Sequence, residues 1–252
     1  MAVLTIAEVL RRSTAYLAER GSPSARLDAE LLLGHALGLE RLNLYTESER
    51  PLAPAELEAA RALLGRRGRR EPVAYITGRR AFRRLDLAVA PGVLVPRPET
   101  EFLVEWALEV APASARVLDW GTGSGAIALA RADEGDDLRV TALERSREAL
   151  AIARRNGERL GLEVEWLQSE GFAALGERRF AVVAANPPYL SQADLDSAPP
   201  ELGFEPPGAL VSGPAGTEDI ARICTEAPAH LEPGGWLLIE VGEGQDGEAR
   251  RL

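Results

Sequence analysis

Phe180-Ala-Val-Val-Ala-Ala-Asn186-Pro-Pro-Tyr189-Leu190 is the stretch whose reading decides the fold. The apolar run Phe180 to Ala185 reads as a short strand buried on both faces. It has to stop at Asn186, because Pro187 and Pro188 carry no N–H and cannot continue a ladder. Pro187 also drives Asn186 out of the helical region into an extended one. The product is a stiff corner at the carboxyl end of a strand, the edge at which open α/β sheets bind their ligands.

The atoms of the corner limit what it can hold. The Asn186 side chain offers one carbonyl acceptor, and the Pro187 main-chain carbonyl offers a second. Two fixed acceptors suit one planar NH₂ group, and Tyr189 can lie flat on the plane that carries it. The corner therefore suits an amino group on an sp² carbon. The plainer reading is that two prolines only end a strand, and these four residues alone leave both open.

Upstream, Val117-Leu-Asp-Trp-Gly121-Thr-Gly-Ser-Gly125 reads as a buried strand ending in a glycine turn, with a helix over Ala126–Ala132. Gly121, Gly123 and Gly125 allow a sharp turn and let a ligand approach the main chain. Their spacing is G-x-G-x-G, not the dinucleotide G-x-G-x-x-G. Val140–Glu144 is a second strand ending in a carboxylate, the position from which an acid commonly binds ribose hydroxyls. A helix over Ser146–Leu160, a strand over Glu163–Gln168 before Glu170, and a fifth strand over Trp236–Val241 complete the pattern. The order is that of a doubly wound, Rossmann-like α/β nucleotide-binding sheet.

The first 78 residues read differently. Thr5-Ile-Ala-Glu8 is a capping box, followed by Ile6, Val9, Leu10 and Leu17 at helical spacing. A turn at Gly21-Ser-Pro23 leads to a second helix with Leu27, Leu31 and Leu32 expected inward. Arg41–Thr46 is a short helical piece, and Pro54 opens a helix over Ala55–Arg70. The pattern predicts a small all-helical unit without a titratable cluster of its own, suited to recognition rather than catalysis. From Ala81 apolar residues alternate (Phe82, Leu85, Leu87, Val89, Val93, Val95) around Ala90-Pro-Gly92, as in a β-hairpin. The expected organisation is a helical domain at 1–78, a hairpin linker at 79–96 and an α/β domain at 97–252.

Composition sets bounds on function. Hydrophobic residues at 46% and charged ones at 27% fit a globular chain of 252 residues. No run approaches the roughly 18 apolar residues of a membrane helix, and no signal peptide is legible. One cysteine, Cys224, excludes an internal disulfide and fits a cytoplasmic location. His35, His230 and Cys224 have no metal-ligand spacing, so no metal is expected. All 29 basic residues are arginine. Residues 1–84 carry 15 of them against ten acids, a net +5, and residues 85–252 carry 14 against 29, a net −15. An acidic α/β half argues against a broad grip on nucleic acid. Arg66, Arg67, Arg69 and Arg70 read as a solvated helix end, although a positive end could also steer an acidic partner.

Asn186-Pro-Pro-Tyr189, Gly121–Gly125 and Pro96-Arg-Pro-Glu-Thr-Glu101 together resemble the release-factor glutamine methyltransferases, the HemK/PrmC family, over almost the whole chain. The resemblance implies a class I methyltransferase fold that binds S-adenosyl-L-methionine and releases S-adenosyl-L-homocysteine. It implies methylation of the side-chain amide nitrogen of the Gln in the Gly-Gly-Gln motif of class-1 peptide-chain release factors, by a monomer without direct nucleic-acid contact. By position, Gly121, Thr122, Gly123, Ser124 and Gly125 would pass under the cofactor and Glu144 would hold its ribose. Glu170 and Gly171 would lie by the adenine. Asn186, Pro187, Pro188 and Tyr189 would grip the glutamine, with Asn186 also beside the cofactor. Asn186, Pro187 and Tyr189 would be the catalytic set.

The chain departs from the family pattern in three places. The ribose acid is usually Asp where Glu144 stands, and the position of Gly171 usually carries Trp, for which Phe172 is a candidate substitute. Family members also continue past the fifth strand through another helix and an antiparallel pair of strands, so either the sequence is incomplete or the sheet keeps an open edge. Two other functions share the pattern. An adenine-N6 DNA or ribosomal-RNA methyltransferase also takes an NH₂ on an sp² carbon, and a non-catalytic binding module could keep the fold.

Overall fold

The structure is a computed structural model that describes residues 4–252, so the first three positions of the expected helical unit lie outside the described residues. The chain divides between Gly78 and Arg79 into two compact units.

The first unit consists of α1 (Ile6–Glu19), α2 (Ala25–Leu37), α3 (Asn43–Thr46), α4 (Pro54–Arg67) and α5 (Val73–Thr77). Thr5 caps α1 by accepting from Glu8 N at 3.4 Å, as its sequence signature requires. Ile6, Leu17, Leu32, Leu33 and Leu44 form the core. Two expectations fail here. Leu27 and Leu31 are exposed, and α2 turns Asp28, Ala29 and Glu30 inward beside Leu32 and Leu33. A titratable cluster is present after all. Arg67 is buried and donates through Nε to Asp28 Oδ2 at 2.6 Å, and Ser22 and Ser24 donate to the same carboxylate at 2.6 and 2.8 Å. Burial pushes the Glu30 carboxyl up, but hydrogen bonds from Tyr45, Arg41 and Arg26 outweigh it and hold its pKa at about 2. The arginines after Gly65 are therefore not a uniformly solvated end. Arg67 is internal, Arg66 pairs with Glu71 at 2.5 Å, Arg70 donates to Gly21 O at 2.7 Å, and Arg69 is exposed.

The second unit opens with a hairpin of β1 (Arg79–Phe82) and β2 (Leu85–Ala88). Phe82 pairs with Leu85, so the turn is Arg83-Arg84 and not Ala90-Pro-Gly92. Arg83 takes a left-handed φ of 51° there, and its guanidinium reaches Glu134 at 2.6 and 2.7 Å. Phe82, Leu85 and Leu87 pack in one cluster with Leu103 and Val104 of α6 (Thr100–Val110). The hairpin thus belongs to the core of this unit. Val89, Val93 and Val95, which extended the alternation, are buried in irregular chain.

The sheet contains β3 (Arg116–Trp120), β4 (Arg139–Glu144), β5 (Glu165–Gln168), β6 (Phe180–Ala185) and β7 (Leu231–Ile239) in the order β5-β4-β3-β6-β7, with every pair parallel. Strand order reverses beside β3, the switch point where such sheets open a crevice. On one face Val117, Val182 and Ala184 meet α6 and α7 (Ala126–Glu134). On the other Leu118, Val183 and Ala185 meet Ile223 and Ala227, from α10 (Glu218–Glu226) and the residue after it. A short α9 (Gln192–Ser197) precedes α10, and α11 (Asp246–Ala249) follows β7. Strand β7 starts at Leu231, earlier than expected, because Leu231 pairs with Phe180 before a register shift at Pro233-Gly234-Gly235. Ser146 caps α8 (Arg147–Leu160), and the buried Asn156 on that helix joins the hairpin to the glycine turn. It exchanges bonds with Ala88 N and O at 2.8 and 3.0 Å and donates to Ser124 O at 2.9 Å.

Of the buried acids of this unit, Asp119 is the most enclosed. Asp119 is fully buried in β3 and accepts through Oδ2 from the Thr122 hydroxyl at 2.5 Å and Ala128 N at 3.1 Å, which pins the glycine turn to the first turn of α7. Its Oδ1 has no hydrogen-bond partner. Burial pushes its pKa up to about 6 against the pull of Thr122 and of the buried Arg131 on α7.

Two outcomes follow for stability. At Gly125 the backbone has φ +89°, and an added Cβ would come within 2.9 Å of Leu129 Cδ1 and 3.2 Å of the Trp166 ring. Gly125→Ala combines a left-handed penalty with overpacking and should cost at least about 2 kcal/mol in urea denaturation; a cost under about 0.5 kcal/mol would contradict this packing. Asp119 has a folded-state pKa above its unfolded value, so its contribution to stability is fully present below about pH 4 and is lost as pH rises through about 6. Wild type should therefore lose stability relative to Asp119→Asn across that window, with a slope of up to about 1.4 kcal/mol per pH unit. A difference independent of pH would contradict a buried, uncharged-favouring site.

Candidate active site

Strand register places the candidate residues on one level. Trp120 is in line with Leu143 on β4 and with Ala185 on β6, and Ala185 with Ile239 on β7. Gly121, Glu144, Asn186 and Glu240 are therefore each the next residue beyond one common row. They stand at the carboxyl ends of the strands, where a cleft of about 840 Å³, counted out to its open mouth, is lined by Trp120, Gly121, Gly123, Glu144, Asn186 and Pro188. Glu170 and Gly171 line it too. A larger and shallower groove of about 1840 Å³ runs along the amino ends of the strands and contains none of the candidate residues.

Glycine is required at Gly121 and Gly123, where φ is +73° and +57° and an added Cβ would meet nothing within 4 Å. The Glu144 carboxylate spans the turn, accepting from Gly123 N at 2.9 Å through Oε2 and from Ser146 N at 2.8 Å through Oε1. The extra methylene of Glu relative to Asp is thus taken up by anchored oxygens. Each keeps a lone pair for a further donor.

Three of the expected cofactor residues act behind the wall. Thr122 is bonded to Asp119, Ser124 O accepts from Asn156, and Gly125 is packed against Leu129. Around Gly171, Arg222 takes the space a side chain would need, with its Cζ 2.7 Å from an ideal Cβ, and pairs with Glu170 at 3.0 Å. Phe172 does not replace the missing aromatic. It is buried in the core, stacked on His230 at 5.1 Å, and the aromatic that does line the cleft is Trp120.

Asn186 follows β6 directly, with its Nδ2 donating to Thr100 Oγ1 at 2.9 Å, which leaves Oδ1 as the acceptor. Pro187 is buried beside it. Tyr189 is partly buried outside the cleft wall, and burial pushes its hydroxyl pKa up. Its carbonyl accepts from Gln245 Nε2 at 2.9 Å, and the other end of Gln245 accepts from Gly242 N at 2.9 Å. Sequence reading missed Glu205 altogether. This buried acid accepts from Val95 N at 2.9 Å and from Arg97 at 2.6 Å. It fastens the segment carrying Pro206, Gly208 and Ala209 to the one carrying Val93 and Leu94, and both segments wall the cleft. The Pro-Arg-Pro-Glu-Thr-Glu stretch was its only sequence signal, through Arg97. Neither Glu205 nor Thr100 could be placed at the site from sequence, because their partners lie 108 and 86 residues away.

Residues 8–78 match the family model described as PrmC N-terminal domain, and residues 98–199 match the methyltransferase small domain. The chain is 46% identical over 244 residues to the release factor glutamine methyltransferase of Geobacter sulfurreducens, covering 96% of this chain and 86% of that protein. It is 49% identical to the protein of the same name in Pseudomonas aeruginosa, covering 92% and 84%. A methyltransferase crystal structure from Pyrococcus furiosus shares the fold, with TM-score 0.52 and 23% identity over 77% of this chain and 84% of that one. With the two-unit architecture and the cleft in place, the chain belongs to the release factor glutamine methyltransferase family.

Proposed function

We propose that this protein transfers a methyl group from S-adenosyl-L-methionine to the side-chain nitrogen of a glutamine, in the Gly-Gly-Gln motif of class-1 peptide-chain release factors. The observation that carries this reading is the Asn186 carboxamide, held by Thr100 with its acceptor end free on the cleft level of Gly121 and Glu144. The residues present fit the cofactor. The anchored Glu144 oxygens suit a pair of ribose hydroxyls, Gly121 and Gly123 leave the main chain open to close approach, and Trp120 with Val93 and Leu94 supplies apolar wall. When bound, the cofactor supplies an electrophilic methyl on a sulfonium.

The protein's own task is to make an amide nitrogen react. That nitrogen is a weak nucleophile, because its lone pair is delocalised into the neighbouring carbonyl. Asn186 Oδ1 and the Pro187 carbonyl accept its two N–H bonds, fix its direction and favour the positive charge that develops on it. Tyr189, beside the cleft rather than in its wall and tied through its carbonyl to Gln245, would pack on the amide once the glutamine is bound and exclude water. No base is needed beforehand, since the proton becomes acidic only as the nitrogen is alkylated. Pro188 completes the corner, Glu170 and Gly171 form the adenine end, and Thr122, Ser124 and Gly125 hold the turn from behind.

The protein acts as a cytoplasmic monomer without direct contact to nucleic acid. The net −15 of residues 85–252 supports the last point, as phosphate backbones need cationic surface. No helix of the described residues is long and apolar enough to cross a membrane.

Incubated with a class-1 release factor and cofactor, the protein should add one methyl to the Gly-Gly-Gln glutamine, read by peptide mass spectrometry. Asn186→Ala should slow that step by about 100-fold or more, with cofactor affinity changed far less. A near-wild-type rate would contradict the role of the corner, and labelling of duplex DNA or ribosomal RNA in place of the release factor would contradict the substrate.

A further inference from the structure

Glu240 follows the last residue of β7, and its N–H donates to Ala185 O at 2.9 Å, which brings its side chain to the corner formed by Asn186. Thr100, the first residue of α6, is buried there with its oxygen accepting from Asn186 Nδ2. The Thr100 hydroxyl and the Asn186 amide are polar groups that face the Glu240 carboxyl, and Glu240 Oε2 is itself buried without a partner at hydrogen-bond distance. We propose that Glu240 and Thr100 are positioning residues that decide which end of the Asn186 carboxamide is presented to the substrate. The proposal rests on the reading of Asn186 as the acceptor for a glutamine NH₂.

The two ends of a carboxamide have nearly the same shape, but only the oxygen can accept an N–H. Packing alone therefore discriminates poorly between the useful orientation and the reversed one. A hydroxyl has one proton, and an ionised carboxylate only accepts. With Glu240 ionised, the Thr100 O–H turns toward the carboxylate it faces, and its oxygen is left to accept from Asn186. The NH₂ end turns to Thr100 and Oδ1 turns to the cleft. A neutral Glu240 can donate instead. Thr100 would then donate to Asn186 Oδ1, the amide would reverse, and its NH₂ would meet the NH₂ of the substrate.

The charge on Glu240 thus sets the polarity of the chain, and its surroundings place that charge within reach of titration. Burial is the largest influence and raises its pKa. The Thr100 hydroxyl opposes it, Glu99 raises it again, and Asn186 and Arg97 oppose. Tyr189 also faces Glu240, and its own hydroxyl is pushed up by burial first and by Glu240 second. Since Glu240 titrates above the ordinary carboxylate range, methylation should be lost as pH falls through its pKa and be retained above it.

The full-length protein carries three Asn and three Gln, so its side-chain NH₂ signals are few. In a ¹⁵N spectrum the Asn186 pair is identified by its disappearance in Asn186→Ser. Thr100→Val, close to isosteric, should shift that pair and lower the methylation rate by about 10- to 100-fold, the scale for a partner that orients a functional side chain. Cofactor affinity should stay within about twofold, and Thr100→Ser should restore both signals and rate. On an Asn186→Ala background Thr100→Val should change the rate less than about twofold, because coupled residues are not additive. Glu240→Gln should flatten the acid limb of the rate profile. An unmoved Asn186 signal in Thr100→Val would overturn the proposal whether or not the release factor is methylated. So would equal effects of Thr100→Val with and without Asn186, which a merely structural role predicts.

Discussion

Parallel register is the constraint on which the site depends. Side chains of a strand alternate between its two faces, so a slip of one residue in any pairing would send each of them to the opposite face. Here Val117 and Leu118 contact different clusters on opposite faces, as do Val182 and Val183. With the register fixed by that packing, the chain leaves four neighbouring strands on one level, at Gly121, Glu144, Asn186 and Glu240. The level is a consequence of core packing several residues away, and the chemistry inherits it. A turn that needs open backbone, an acid and an acceptor amide are brought together although they are spread over 66 residues of sequence, from 121 to 186.

What register places, buried polar contacts then hold still. Glu144 ties the glycine turn to the cap of α8, and Asp119 ties the same turn to α7. Glu205 joins the two wall segments, and Gln245 grips the main chain at Tyr189. Each buried acceptor is costly to leave unpaired, so each contact resists displacement more strongly than an exposed one would. The proposed catalysis by orientation needs this stiffness, since a weak nucleophile gains from the corner only while both acceptors keep their directions.

Local patterns were legible where one physical rule governs one stretch. Phe180–Ala185 is a strand with the ends read from sequence, because two prolines leave no alternative stop. The glycine turn and the Glu144 strand end were legible for the same reason. The hairpin turn was not: Val89, Val93 and Val95 are buried and continue the alternation, although the chain there is irregular, so the pattern ran past the real turn at Arg83-Arg84. Helix α2 misled because Asp28 and Glu30 occupy the face where apolar residues were expected. They are stabilised there by Arg67, Arg41 and Tyr45, partners outside the helix, together with Arg26 one turn away on it. Sequence left Phe172 open as a candidate for the replacement aromatic, whereas its ring faces His230 and the cleft is lined by Trp120, one residue before the glycine turn. In each case the missing information was a tertiary partner.

The proposed mechanism requires Asn186 and Pro187 jointly to take one planar NH₂ group from a glutamine. A crystal structure with S-adenosyl-L-homocysteine and a peptide containing Gly-Gly-Gln tests it most directly. The glutamine amide nitrogen should lie within about 3.2 Å of both Asn186 Oδ1 and the Pro187 carbonyl oxygen. A glutamine bound with its carbonyl oxygen toward Asn186, or held elsewhere with the corner empty, would contradict it.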